Sequence, residues 1–244
     1  MKEFGLIKDI DINDESSWKN KIFITLDIDW ASDEVIEFVA DIFLSQNVKA
    51  TWFVTHNSLY LNKLRDSTLF ELGAHPNFNP LLNGNCEFGI NSKEILRKIQ
   101  NIVPDATCIR SHSLTQNSAL VGQFRDFGYT NELNVLIPIQ SKIIIKPYLH
   151  LTGIVELPHV WEDDVHMLMG SEYNTALNLI NSYSGLTILD FHPIHVFLNE
   201  TSVKHYESVK EHLNNFNILK TKVNLTEFGT LNFLKALISS NLKS

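Results

Sequence analysis

Cysteine is scarce: Cys86 and Cys108 are the two in 244 residues, neither the number nor the spacing of a disulfide framework or a cysteine zinc site, so two reduced thiols are expected. The first residues, MKEFGLIKDIDINDESSW, contain no apolar run of signal-peptide length, and no later stretch approaches the roughly 20 apolar residues of a membrane span. A cytoplasmic protein is the expectation. Positive charge is in deficit, with 20 Lys and Arg against 28 Asp and Glu, and the net charge of −8 argues against general affinity for nucleic acid or anionic lipid. A small or neutral ligand is favoured. Repeats, low-complexity segments and linkers are missing, so residues 1–244 are read as one domain, a length at which α/β barrels are commonly single units.

With 44% hydrophobic residues, the chain can bury a substantial core. Its organising stretch is residues 21–30, KIFITLDIDW, in which Ile22, Phe23, Ile24, Thr25 and Leu26 read as a strand buried on both faces. Asp27 and Asp29 follow where that strand ends. Alternate side chains of an extended segment point the same way, so both carboxylates would enter one cavity, where unpaired negative charge is costly. In parallel α/β folds the carboxyl ends of strands carry the sites, which favours a metal ion or a catalytic pair between them. Capping of the next helix is the alternative reading.

That helix spans 32–46, with Val35, Ile36, Val39, Ile42 and Phe43 at helical spacing, and a second buried strand, 50–55, leads to His56. Strand, helix, strand implies a parallel pair with a right-handed crossover. The same grammar gives a helix at 58–65, a strand at 69–74 before His75, and a helix at 91–102 whose Asn91 and Glu94 have capping-box spacing. A strand at 106–109 precedes Arg110 and His112, and a helix at 118–127 is closed by Gly128. Strands follow at 129–135, 153–157 and 186–191, with 143–145 a strand or loop; helices are expected at 172–183, 202–214 and 226–239. This alternation allows a doubly wound sheet or a barrel.

Residues just after the strands are Asp27 and Asp29, His56, His75, Arg110 and His112, His159 and His192, which include five of the ten histidines. A parallel barrel would bring them to one rim. Each histidine alone is more often a structural hydrogen-bonder than a ligand. His75 and Asn79 are four residues apart, and with a carboxylate from elsewhere they suit a catalytic Zn²⁺ that keeps an open position for water. Asn is a weak zinc ligand, so Asn79 could instead hold water or orient His75, and 77–80 also reads as an ordinary Asn/Pro turn.

These motifs resemble the polysaccharide deacetylases, carbohydrate esterase family 4 or the NodB-homology superfamily. LDIDW (26–30) and KATWFVT (49–55) match the family's first motif at the expected separation. Gly73, His75 and Pro80 match Gly-x-His-x-x-x-His-Pro, with Asn79 in place of the second histidine. Arg110 in CIRSHSL begins the third motif, where His112 and Ser113 replace the usual Pro and Tyr; PHVWEDD (158–164) is a looser match to the fourth, and LDFHP places His192 on the last. The likeness spans roughly residues 21–200 and rests on motif order as much as on any one string.

The resemblance implies an irregular (β/α)7-type barrel, a distorted TIM barrel, with a divalent metal, Zn²⁺ by preference, at its carboxyl rim. It implies Asp29 and His75 as metal ligands, with Asn79 or His112 completing the set and His195 as a further candidate. Asp27 becomes the general base, His192 the acid for the leaving amine, and Arg110 the group holding Asp27; a backbone N–H near Ser113 would stabilise the oxyanion. Trp30, Phe78 and Trp161 would offer apolar faces to substrate, though each could equally be core. The activity implied is removal of an acetyl or formyl group from an amino sugar, a cytoplasmic small-molecule precursor of surface polysaccharide such as lipopolysaccharide. Hydrolysis of another non-peptide amide on the same scaffold, or a degenerate carbohydrate-binding barrel, are the competing readings.

Overall fold

The computed structural model describes residues 1–213 and 215–242. Its strands are β1 (Glu3–Gly5), β2 (Lys21–Asp27), β3 (Ala50–Val54), β4 (Phe70–Ala74), β5 (Cys108–Ile109), β6 (Asn131–Glu132), β7 (Tyr148–Leu149), β8 (Val155–Glu156), β9 (Trp161–Glu162) and β10 (Thr187–Phe191). The α-helices are α1 (Asp33–Ser45), α2 (Leu61–Asp66), α3 (Asn79–Leu82), α4 (Ser92–Ile102), α5 (Ser118–Asp126), α6 (Asp163–Met169), α7 (Tyr173–Ser182), α8 (Pro193–Leu198), α9 (Val203–Val209), α10 (Phe216–Leu219) and α11 (Thr230–Asn241).

The strands form one sheet in the order β7-β8-β6-β5-β4-β3-β2-β10-β9. Every neighbouring pair in that order is parallel except β7 with β8. Its two ends are linked through residues 157–160: His159 N–H donates to Val135 O beyond β6, and Val160 N–H donates to Ile188 O of β10. The sheet therefore curls into the distorted (β/α)7-type barrel that the motifs implied, with β2, β3, β4, β5, β6, the β8–β9 segment and β10 as its staves. β2, β3 and β10 are almost wholly buried because helices cover them outside and side chains fill them inside. α1 lies on the outer face through Val35, Ile36, Val39 and Phe43.

Several elements differ from the expectation, each for a local reason. β1 pairs with the first half of β2, and the turn after it plugs the amino end of the barrel, where Ile7 N–H donates to Thr51 Oγ1 at 3.2 Å and Lys8 N–H to Glu71 Oε2 at 3.0 Å. Cys108 lies buried beside that plug, its thiol 3.6 Å from Glu71 Oε1, while Cys86 is exposed, and both are free. Residues 143–145 form no strand. The expected helix at 202–214 is α9 followed by a 3-10 turn, Lys210–His212, and Asn214 lies outside the described residues. α8 was not foreseen because all six of its residues are buried, leaving no amphipathic period. Among the described residues no helix is long and apolar enough to cross a membrane.

A carboxyl pair ties β6 to β8. Glu132 and Glu156 are register partners, both buried, and Gln116 Nε2 donates to Glu132 Oε2 at 3.1 Å and reaches Glu156 Oε1 at 3.5 Å. Burial, reinforced by Glu156, pushes Glu132 up to about 9. The folded chain thus keeps a proton that the unfolded chain releases above the ordinary Glu value of about 4.3, and stability contributed by the pair falls as pH rises from there towards about 9. Glu132→Gln should flatten that decline: urea midpoints measured between pH 6 and pH 9 should drop more in wild type than in the variant. Parallel pH profiles would contradict the assignment.

Candidate active site and metal centre

β2 delivers Asp27 as its last residue, and the chain then turns sharply with Asp29 at φ 31° and Trp30 at φ 59°. Left-handed backbone at a non-glycine residue costs on the order of 1 kcal/mol or more. The neighbouring strand holds it in place, with Ile28 N–H donating to Phe53 O at 3.1 Å and Ala31 N–H to Ile28 O at 2.7 Å. The outcome is that both carboxylates face the rim.

Arg110, fully buried after β5, compensates Asp27. Its Nη1 donates to Asp27 Oδ1 at 2.9 Å and also to Asp190 Oδ1, its Nη2 donates to Thr25 Oγ1 at 2.9 Å, and its guanidinium lies 4.6 Å over the Phe53 ring. Burial pushes Asp190 up to about 8, with Arg110 opposing and Asp27 adding to the rise. Thr25 Oγ1 also donates to Asp190 Oδ1 at 2.8 Å, and the Arg110 charge is shared between Asp27 and Asp190.

Asp29 meets three imidazoles. His75 Nε2 and His112 Nδ1 each lie 3.2 Å from its Oδ1, and His192 Nε2 lies 3.5 Å from its Oδ2. Burial alone would raise the Asp29 carboxyl, but the imidazoles of His112, His192 and His75 close against it outweigh that and hold the group well below the usual carboxylate range. His75 is buried, and its Nε2 is also 3.4 Å from Asp27 Oδ2, yet neither ring nitrogen makes a hydrogen bond of acceptable geometry. Burial works against charge on His75; Asp27 and Asp29 overcome it and raise its pKa.

On the opposite side of the rim, Asp163 at the start of α6 anchors the other histidines. Its Oδ2 accepts from the His192 backbone N–H at 2.8 Å, and its Oδ1 accepts from His192 Nδ1 at 2.7 Å and His195 Nδ1 at 3.1 Å. Burial is outweighed by His195 and His192, so Asp163 stays ionised far below the usual range; in return Asp163 lifts His192 well above an ordinary histidine against the pull of burial. A cavity of about 520 Å³ opens over Asp29, His112 and His192 and extends to α9.

The structure thus brings together Asp27, Asp29, His75, Arg110, His112 and His192. Asn79 stands apart: its Nδ2 donates to Ser113 Oγ at 2.9 Å and its Oδ1 accepts from Thr115 Oγ1 at 3.3 Å, so its amide is committed to the Arg110 loop and not turned to Asp29. Ser113 lies on that same loop at φ 55°. Trp30 is 39% exposed at the cavity mouth, edge-on to His112 at 5.0 Å. Phe78 and Trp161, expected to face a sugar, are core residues; Phe78 stacks on Phe124, and Trp161 packs between Phe191 and Phe233. Large apolar rings beside other buried rings gain more from packing than from a wet cleft. His56 and His159 lie outside the cluster, and burial lowers the pKa of both. Asp163 and Asp190 were missed, although Asp190 precedes His192 by two positions on the final strand and alternation would have pointed it inward.

The donor atoms of Asp29, His75 and His112 lie within 4.8 Å of one another. Two imidazoles, a carboxylate and the orphaned His75 nitrogens fit a Zn²⁺ site with an open position. Two other groupings among the described residues are comparably close, Asp163 with His192 and His195, and Asp27 with Asp190 and His192, but their atoms already serve the hydrogen bonds above.

A parallel barrel with carboxylates and imidazoles gathered at its carboxyl rim is the class these features define. The family model described as WbmS-like polysaccharide deacetylase matches residues 24–210, and the chain belongs to that family. Among solved structures, a Bordetella bronchiseptica protein, WbmS, described as a polysaccharide deacetylase involved in O-antigen biosynthesis, is 38% identical over 98% of each chain with a TM-score of 0.93. A Mycobacterium smegmatis protein described as a polysaccharide deacetylase is 15% identical over 70% of this chain and 77% of its own, with a TM-score of 0.46. No curated protein matches the chain.

Zinc titrated into chelator-treated protein should bind once per chain. His112→Ala should weaken it by more than the roughly 10- to 100-fold typical of losing an outer-sphere partner, and Asn79→Ala by less. Equal losses in calorimetry, or a larger one for Asn79→Ala, would contradict the ligand set.

Proposed function

We propose that the chain is a zinc-dependent hydrolase that removes an N-acetyl or N-formyl group from an amino sugar, a cytoplasmic precursor on its way into surface polysaccharide. The observation that carries this reading is the convergence of His75, His112 and His192 on Asp29, with Asp27 alongside. The description of the 38% identical relative as involved in O-antigen biosynthesis supports the substrate class. Replacement of the family's second histidine by Asn79 does not empty the site, because His112 stands against the same Asp29 oxygen as His75.

Asp29, His75 and His112 would hold the zinc, which when bound supplies a Lewis acid and lowers the pKa of water towards about 7. Asp27, paired with Arg110, accepts the proton released as the water attacks the acyl carbonyl. Arg110, itself held by Thr25 Oγ1, fixes the Asp27 carboxylate, so little reorganisation is needed. His192 donates to the leaving amine: Asp163 takes its Nδ1–H, which leaves Nε2 directed at Asp29 and the cavity. Asp163 also raises the His192 pKa against the pull of burial, which favours the protonated form a general acid requires. The Ser113 backbone N–H provides the oxyanion contact, since the flanking His112 and Leu114 N–H groups already donate to Pro76 O and Ser111 O, and Asn79 braces that loop through Ser113 and Thr115.

Zinc-loaded protein should release acetate or formate from a panel of N-acylated amino sugars. Asp27→Asn should abolish release while retaining zinc, and His192→Asn should lower kcat by roughly 10²- to 10⁴-fold. Full zinc occupancy with no acid released across the panel would overturn the reading.

A further inference from the structure

A metal-bound imidazole is ordinarily oriented by a hydrogen bond from its other ring nitrogen to a carboxylate, a carbonyl or water. His112 has no such protein partner. Its Nδ1 lies 3.2 Å from Asp29 Oδ1, and its Nε2 makes no hydrogen bond among the described residues. The backbone beneath it is fixed, with the His112 N–H donating to Pro76 O at 2.9 Å, but the side chain is 23% exposed and one contact with Asp29 does not by itself stop the ring from turning. Packing has to do that. Two rings meet His112 edge-on: Trp30, with centroids 5.0 Å apart and planes at 78°, and His75, at 5.7 Å and 85°. Both distances fall in the range of favourable edge-to-face pairs.

Trp30 reaches this place because of the turn that ends β2. Asp29 and Trp30 follow one another at φ 31° and 59°, and the Trp30 backbone N–H lies 3.4 Å from Thr55 Oγ1, just past β3. The turn that presents the Asp29 carboxylate to the rim thus also presents the indole to the imidazole which that carboxylate meets. Among the described residues His112 is the one ring that Trp30 contacts. The indole lines both the cavity over Asp29 and a second one of about 270 Å³ beside Thr55 and Pro76, and with 39% of its surface exposed it is not held there by the core.

We propose that Trp30 is a positioning residue for the metal centre: its indole clamps the His112 ring against Asp29, in place of the hydrogen bond that would otherwise orient a ligating imidazole. One turn then serves two ligands, supplying Asp29 and holding His112. His75 does not depend on it, being buried against Asp27 and Asp29 already. The clamp also accounts for a histidine on the Arg110 loop standing at the metal site while Asn79 is turned to Ser113. A ring held in place binds the ion at full strength, whereas a ring that faces Asp29 for only part of the time weakens the site by that fraction. This inference rests on the zinc reading of the rim and not on the hydrolysis.

The test is zinc affinity, by competition with chromogenic chelators, for wild type, Trp30→Ala and Trp30→Phe, and for the same two substitutions on a His112→Ala background. Trp30→Ala should weaken zinc roughly 10- to 100-fold, as loss of an outer-sphere partner does, and Trp30→Phe should recover most of that through its own ring edge. Both variants keep a non-glycine residue in the left-handed turn. On the His112→Ala background neither substitution should cost anything further, because no ring is left to hold. In a zinc-free crystal of Trp30→Ala the His112 ring should leave Asp29 Oδ1. Unchanged zinc affinity of Trp30→Ala, the same loss on both backgrounds, or a His112 ring still 3.2 Å from Asp29 in that crystal would overturn the clamp and leave the ligand set standing. Wild type that binds no zinc would remove both, whereas the expected affinities in a protein that releases no acid from any sugar would remove only the hydrolase.

Discussion

Negative charge buried at the end of a barrel is the constraint that shapes the rest of this molecule. Asp27 and Asp29, at the end of β2, meet Asp163, at the start of α6, at one rim, where an uncompensated carboxylate would cost several kcal/mol. Each is compensated differently: Asp27 by Arg110, Asp29 by three imidazoles, and Asp163 by His192 and His195. Asp190 shares the Arg110 charge with Asp27 and accepts from Thr25 Oγ1 as well. The same burial that makes these charges expensive makes them useful, since a low-dielectric site strengthens every interaction with a reacting group.

The compensation divides the rim into two halves. Residues following β2, β4 and β5 gather the candidate zinc ligands and Asp27, the proposed base, whereas β10, α6 and α8 supply His192, the proposed acid, and the Asp163 carboxylate that holds it. His192 joins the halves by pointing one nitrogen at Asp163 and the other at Asp29. Barrel closure through residues 157–160 is what brings α6 close enough for this, because those residues hydrogen-bond to both the β6 side and β10. Fold and chemistry are therefore tied at one place: loosening that segment would separate acid from base.

Legibility in the sequence followed the length and periodicity of each element. β2, β3, β4 and β10 were readable as apolar runs, and α1, α4 and α5 from their amphipathic spacing and caps, with Asn91 accepting from the Glu94 N–H as its spacing foretold. β5, β6, β8 and β9 have two residues each, too few for a period, and their strand character comes from neighbours. At the site, residues flanking long strands were legible, while Asp163 was obscured by the adjacent acids of WEDD and by the attention Trp161 attracts. Trp161 itself shows the limit of composition, since an aromatic near a motif is as ready to fill a core as to face a sugar, and three-dimensional neighbours decide. Asn79 and His112 are a similar case: the family resemblance identified the place of a missing histidine, but only the fold shows which side chain reaches Asp29.

The central claim is that separate strand ends meet around a single cation. A crystal of the zinc-loaded protein measured on both sides of the zinc absorption edge tests it directly. One anomalous peak at about 2.0–2.2 Å from a carboxylate oxygen of Asp29 and from ring nitrogens of His75 and His112 is the predicted result. A peak seated instead on Asp163 with His192 and His195, or no peak near Asp29 at full zinc loading, would contradict it.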